Sequence, residues 1–206
     1  MSKALAKEAV TGLVLAGGRG TRMGSVDKGL QLFRGKPLFI HAAERLAPQV
    51  GALLLNANQN IARYAESGLA VVSDEPLTFS GPLAGFATGL KHCKTPYLVT
   101  VPCDSPFFPE TLVEALGKAL LRENADIAIA ATGRVTDVTL QPVFCLMRRE
   151  LLPHLLAFLE TGQRKIDAWY GSLHVAHAHF MDETAFHNIN TLAELETLEK
   201  TTGKKE

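Results

Sequence analysis

Apolar residues are gathered into short runs at 13–16, 52–55, 69–72, 97–101 and 127–131, with Thr100 the one polar residue inside them. Runs of that length without polar alternation predict strands covered on both faces, as in a parallel sheet. The segment after Pro109 has a different period. Leu112, Ala115, Leu116, Ala119 and Leu120 fall on one face of a helix, with Pro109 preset for the first turn and Arg122 near its C-terminal end. Segments 37–47, 82–93 and 149–160 each begin near a proline or a turn and carry an apolar face, which predicts three more helices. Beyond residue 131 the pattern is less regular, with strands expected at 140–147 and 174–180 and a closing helix at 191–200. This alternation predicts an α/β fold with a mainly parallel sheet, right-handed crossovers and helices on both faces. Its ligand crevice lies outside the carboxyl ends of the strands.

With 206 residues and 47% apolar content, the chain can bury one substantial core, and no repeat or break in composition divides it. One domain over 1–206 is expected, with 1–9 as an N-terminal extension and 201–206 as a solvated, mobile tail. Twenty-one basic residues balance twenty-one acidic ones, so no net field favours a nucleic-acid backbone or an anionic membrane; any anion has to be bound locally. Residues 1–10 carry Lys3, Lys7 and Glu8 and lack the apolar region of a secretory signal, and no apolar stretch approaches the ~20 residues that span a bilayer. Cys93, Cys103 and Cys145 are odd in number, far apart and without C-x-x-C spacing. A soluble, cytoplasmic protein with reduced thiols is expected, and Cys103 reads as a small buried hydrophobe.

The chemistry concentrates where strands end. After the first strand comes Gly17-Gly18-Arg19-Gly20-Thr21-Arg22-Met23-Gly24, then Asp27-Lys28-Gly29. Glycines let backbone N–H groups converge on an anion, yet neither the P-loop spacing nor G-x-G-x-x-G is satisfied. About twenty residues separate these glycines from the helix at 37, a length typical of functional loops. The stretch therefore reads as a phosphate-wrapping loop, with a basic surface loop as the competing account. Arg22 can fork across phosphate oxygens and Lys28 can supply a point charge, both countering charge on a departing pyrophosphate. Polar residues follow the next three runs: Asn56, Asp74 and Asp104. Each alone is ordinary turn chemistry, but the predicted sheet brings all three to one edge. Asp104 emerges from its strand between Pro102 and Pro106, and a lone carboxylate beside a glycine-rich loop suits Mg²⁺, which is held by one or two carboxylates plus substrate phosphates.

Taken in order, Leu15-Ala16-Gly17-Gly18, Arg22-Met23-Gly24, Asp27-Lys28-Gly29, Gly35-Lys36-Pro37-Leu38, Gly81-Pro82-Leu83-Ala84-Gly85, Pro102-Cys103-Asp104 and Asn188-Ile189-Asn190 resemble the molybdenum cofactor guanylyltransferases. The match is dense from Leu15 to Asp104, looser between Asp126 and Met181, and resumes at Asn188. The resemblance implies a Rossmann-like nucleotidyltransferase fold that transfers GMP from GTP to the terminal phosphate of molybdenum-loaded molybdopterin, releasing pyrophosphate. It further implies that Leu15, Ala16, Gly17, Lys28, Asn56, Asp74 and Asp104 bind GTP, with Asp104 also on Mg²⁺. Asn188 and Asn190 would contact the pterin, with Pro82, Gly85, Arg164 and Lys165 on the substrate side. Cofactor-delivery proteins and molybdenum enzymes are the implied partners. A phosphomonoester is largely dianionic near neutral pH, so such an attack needs no general base, and the chain shows no Ser/His/Asp or paired-carboxylate arrangement that would supply one.

Several bland readings compete. Thr191-x-x-Glu194 is a capping box, so Asn190 could simply lead into the last helix, and Pro82 to Gly85 could serve close helix packing. His174, His177 and His179 read as solvated strand histidines, since no third ligand is spaced to complete a metal site. Three alternative functions stay open: a relative using CTP or a sugar or polyol phosphate, a non-catalytic nucleotide or cofactor carrier, and a dinucleotide-dependent oxidoreductase, the last disfavoured by the broken glycine fingerprint. Residue types alone do not choose guanine over cytosine.

Overall fold

The apolar runs do assemble into one sheet, of seven strands. A computed structural model describes residues 4–16, 27–74, 81–134, 137–189 and Glu194. Along the chain these form β1 (Val10–Leu15), β2 (Leu32–Phe33), β3 (Lys36–Pro37), α1 (Leu38–Leu46), β4 (Ala52–Asn56), α2 (Ile61–Ala65), β5 (Ala70–Val72) and α3 (Pro82–His92). They continue with β6 (Tyr97–Pro102), α4 (Leu112–Glu123), β7 (Ile127–Arg134), β8 (Asp137–Arg148), α5 (Leu152–Glu160), α6 (Ile166–Tyr170) and β9 (Val175–His179). The strand order is β5-β4-β1-β6-β8-β7-β9, with β2 and β3 paired separately as a hairpin. All neighbours in the large sheet are parallel except β8, which runs against both β6 and β7.

β1 shows why the runs lack alternation. Val10 and Val14 join the core under α1 and α4, while Leu13 faces the opposite core with α3, α5 and α6. Both faces are covered, so both parities are apolar. The chain moves from β1 outward through β4 to β5, then returns to place β6 on the other side of β1. The reversal opens a crevice at the carboxyl ends of β1 and β6, the topological switch point.

Several expectations need correction. β5 is an edge strand, exposed at Ala70 and half-buried at Val71 and Val72, so its apolar run marks a sheet margin rather than a strand buried on both faces. Pro109 does not enter the first turn of α4. Its carbonyl accepts a hydrogen bond from the Leu112 N–H, and the helix starts three residues later, with Thr111 at the N-cap. The segment 149–160 opens with a 3₁₀ turn at Arg149–Leu151 before α5 proper. The long stretch before α1 is partly built: Lys28–Leu30 forms a 3₁₀ turn and β2–β3 a tight hairpin. Its two turn residues, Arg34 and Gly35, both have positive φ (49° and 75°), as a two-residue hairpin matched to strand twist requires. The expected helix at 191–200 lies outside the described residues apart from Glu194.

β8 also departs from a simple ladder. Ile129 pairs with Cys145, but its neighbour Ala130 pairs with Gln141, so 142–144 bulge away from β7. Two hydroxyls hold this bulge from opposite elements: Tyr170 donates to the Pro142 carbonyl and Thr100 to the Val143 carbonyl, each at 2.6 Å. On that face, fully buried Trp169 of α6 meets Phe86 of α3 edge to face, and its indole N–H donates to His154 Nδ1 at 3.0 Å. No helix among the described residues is long and apolar enough to cross a membrane.

Candidate active site

The carboxyl end of β1 is the middle of the site. Leu15 pairs with Asn56 on one side and Pro102 on the other. Its carbonyl accepts the Cys103 N–H at 3.1 Å, and the Ala16 N–H donates to the Asn56 carbonyl at 2.8 Å. Both groups are committed to extending the sheet. That ladder sets Asn56 and Asp104 on either flank of the chain as it leaves β1. Gly17 and Arg22, with the glycines between them, lie outside the described residues.

On the β6 flank the predicted charges meet. The Lys28 ammonium lies 3.2 Å from Asp104 Oδ2, with side-chain exposures of 24% and 14%, so this pair sits at the mouth of the crevice rather than on open surface. The Asp104 carbonyl accepts the Ile189 N–H at 2.7 Å, and the buried Ser105 hydroxyl donates to Asn188 Oδ1 at 2.5 Å. Ile189 anchors this contact by burying its side chain with Phe33, Leu38 and Phe107. The structure thus brings Asn188 to the residue next to Asp104. Asn190 lies outside the described residues.

On the β4 flank, Asn56 and Asp74 converge as expected, but on each other. Asp74 Oδ1 accepts from Asn56 Nδ2 at 2.8 Å and from the Thr88 hydroxyl at 2.7 Å, while Oδ2 accepts from Asn58 Nδ2 at 2.8 Å. The Asp74 N–H donates back to Asn58 Oδ1 at 2.9 Å. A carboxylate offers about four acceptor positions, so these three donors fix its orientation and leave capacity for one further N–H. Asn58 and Thr88 were missed by sequence reasoning. Thr88 sits within a helix and carries no local signal, whereas Asn58, two residues past Asn56 in a polar run, was visible.

Gly85 faces this cluster for reasons of space. A Cβ there would come within 2.6 Å of Leu15 Cδ2 and 2.8 Å of Asn56 Oδ1, so the glycine lets α3 lie directly on the strand ends. Close packing therefore accounts for Gly85 by itself. Gly85→Ala is expected to destabilise the fold by about 1–3 kcal/mol, as overpacking of a filled site does, measured by urea denaturation. Pro82 is the exposed first residue of α3, after Gly81 at φ 85°. Arg164 and Lys165 belong to the turn between α5 and α6. The Arg164 guanidinium donates to the carbonyls of Leu159 and Gln163, and Lys165 is exposed with its carbonyl accepting the Trp169 N–H.

The thiols offer no nucleophile. Cys103 is buried beside the site, and burial, then the Asp104 carboxylate, push its thiol well above the usual range. Burial pushes Cys145 up to about 11. His177 and His179 alternate with buried alanines on the exposed side of β9, as solvated strand residues should. No cluster of three His, Cys, Asp or Glu side chains that could hold a metal occurs among the described residues. The donor set at Asp104 instead suits a hard cation that keeps water and phosphate ligands.

Residues 12–177 match the family model of the MobA-like NTP transferase domain. The chain is 55% identical over 192 residues to a molybdenum cofactor guanylyltransferase of Bordetella petrii, covering 93% of this chain and 98% of that protein. It is 53% identical to the enzyme of the same name from Bordetella pertussis, covering 94% and 98%. Among solved structures, molybdopterin-guanine dinucleotide biosynthesis protein A of Archaeoglobus fulgidus superposes with a TM-score of 0.74 at 22% identity, covering 94% of this chain and 99% of that one. The 4-diphosphocytidyl-2C-methyl-D-erythritol synthase of Anaerococcus prevotii gives 0.76 at 11% identity, covering 97% and 100%. At those identities the two structures speak for the fold.

Proposed function

This chain belongs to the MobA-like NTP transferase family, among the molybdenum cofactor guanylyltransferases, and on that premise we propose that its strand-end crevice is where GTP meets molybdenum-loaded molybdopterin. The reaction joins GMP to the terminal phosphate of the pterin and releases pyrophosphate. The observation that carries the assignment of the site is the Lys28–Asp104 pair at 3.2 Å on the switch point between β1 and β6, where the glycine-rich segment leaves β1.

The attacking phosphate is already an anion, so the protein's task is to hold two mutually repelling anions in line and to stabilise charge on the leaving pyrophosphate. Lys28 supplies a positive charge at the crevice mouth, and we assign Arg22 a similar role from its place in the glycine-rich segment. Asp104 would hold a divalent cation, for which we propose Mg²⁺; when bound, it would draw charge from the triphosphate oxygens. Asp74, fixed by three donors with one acceptor position to spare, suits an N–H on the edge of guanine. Its carboxylate reads the base while Asn56 orients it, and we assign nucleotide contacts to Leu15 and Ala16 at the end of β1 and, from its place next in sequence, to Gly17. To Asn188, whose Oδ1 accepts from the Ser105 hydroxyl at 2.5 Å, and to Asn190 we assign contacts with the pterin, with Pro82, Gly85, Arg164 and Lys165 on the substrate side. The three thiols, all free and buried, suit the reducing cytoplasm, where we place the reaction, with cofactor-delivery proteins upstream and molybdenum enzymes downstream.

The test is pyrophosphate release with Mg²⁺ and molybdenum-loaded molybdopterin, offering GTP, CTP, ATP and UTP in parallel. Release with GTP, by at least about a hundredfold over CTP, is expected, because a site built to hydrogen-bond a base rejects one lacking the matching donor. Preference for CTP would overturn the nucleotide, and binding without release would overturn the catalytic reading.

A further inference from the structure

The 3₁₀ turn that carries Lys28 is tied down from below by a helix that no sequence motif marks. Tyr64 of α2 is fully buried, packed edge to face on Phe39 with ring centroids 4.8 Å apart, and its hydroxyl donates to Asp27 Oδ1 at 2.6 Å. Asn60, the residue before α2, donates from Nδ2 to the other oxygen, Asp27 Oδ2, at 3.0 Å. It does so from a left-handed conformation, φ 49° and ψ 31°, that an asparagine tolerates better than most residues. Asp27 in turn holds the turn itself: its carbonyl accepts from the Leu30 N–H and from Gln31 Nε2, both at 3.2 Å. Gly29 completes the fit. A Cβ there would collide with the Tyr64 hydroxyl, so the phenol reaches Asp27 only because residue 29 has no side chain. Burial, then the bond to Asp27, push the Tyr64 phenol well above its ordinary range, which keeps it a neutral donor.

We infer that Tyr64 and Asn60 are positioning residues for the reaction, clamping the Asp27 carboxylate so that the next residue, Lys28, presents its ammonium to Asp104 and the crevice. The inference rests on the proposed role of Lys28 in catalysis. Two bonds to the Asp27 carboxylate and two to its carbonyl fix the turn from which the Lys28 side chain extends, and small misplacements of a charge aimed at a leaving group are costly in rate. The clamp also accounts for Tyr64, a buried hydroxyl that a simple core position would not need.

Tyr64→Phe keeps the ring and removes only the donor; Asn60→Gly keeps the backbone conformation and removes the other donor. In the full chain, with GTP, Mg²⁺ and molybdenum-loaded molybdopterin, Tyr64→Phe is expected to lower kcat by about tenfold or more, with a smaller change in the KM for GTP. Asn60→Gly is expected to give a smaller loss of the same kind. The decisive step is the cycle with Lys28→Met: in that background neither change should lower kcat by more than about twofold, because the group they position is gone. Thermal unfolding of each variant checks that the fold is retained. Wild-type kcat in both single variants, or the same fold-loss with and without Lys28, overturns the inference while leaving the Lys28 assignment standing. Wild-type kcat for Lys28→Met by itself removes the Lys28 assignment and this inference with it.

Discussion

Asp104→Ala is expected to lower kcat by about three orders of magnitude, the upper end of what loss of one preorganised electrostatic group costs, while the protein stays folded. The side chain belongs to no apolar cluster, and the contact that secures this part of the chain runs through the Asp104 carbonyl to the Ile189 N–H, which alanine preserves. The loss therefore belongs to the carboxylate. Without it, the proposed divalent cation loses the ligand we assign to it and the Lys28 ammonium loses the contact with Asp104 at 3.2 Å. Asp104→Asn keeps the size and removes the charge, so it should be nearly as impaired if charge is what matters. Pyrophosphate release and a thermal unfolding curve on the same preparations check both halves. Normal turnover in either variant would remove Asp104 from the mechanism.

Lys28→Met is the second large effect, with kcat lower by about a hundredfold and the KM for GTP changed much less. The division between the two constants carries the meaning. A cation that only attracts the triphosphate stabilises ground state and transition state alike and shows in KM, whereas one aimed at charge that develops on pyrophosphate shows in kcat. Lys28→Arg keeps the charge but spreads it over a planar fork that does not reproduce a point contact, so partial recovery is expected. Initial rates over a range of GTP concentrations separate these cases, and a rise in KM with kcat intact would reassign Lys28 to nucleotide capture.

Much of the architecture was legible because each strand of the large sheet carries its own signal. An uninterrupted run such as 52–55 or 127–131 predicts a strand covered on both faces, and the polar residue after such a strand falls at the sheet edge. That reasoning puts Asp104, Asn56 and Asp74 at the strand ends, where the structure has them. It could not show that Asn56 and Asp74 spend their polarity on each other, with Asn58 and Thr88 completing the set, because partners in three dimensions leave no trace in local spacing. The direction of β8 was hidden for the same reason: an apolar run covered on both faces reads alike in either orientation. α2, only five residues long, is below the length at which helical periodicity can be read, and with it went Tyr64 and the clamp on Asp27. Gly29 was a visible hint. A glycine beside Lys28 with no turn that demands it calls for a close neighbour, and here that neighbour is the Tyr64 hydroxyl.

The docking of Ile189 sets an order of events. During synthesis all seven strands of the large sheet have been made by His179, and a nascent chain of that length has most of both large cores available for collapse. Yet the loop after β6 waits for a strap whose contacts come from far away in sequence, Ser105 and Asn188 being 83 residues apart. At about 5–20 residues per second, several seconds separate the making of Asp104 from the arrival of the segment that braces it. The scaffold can form first and the proposed catalytic edge last, so a newly made molecule would acquire its shape before its competence.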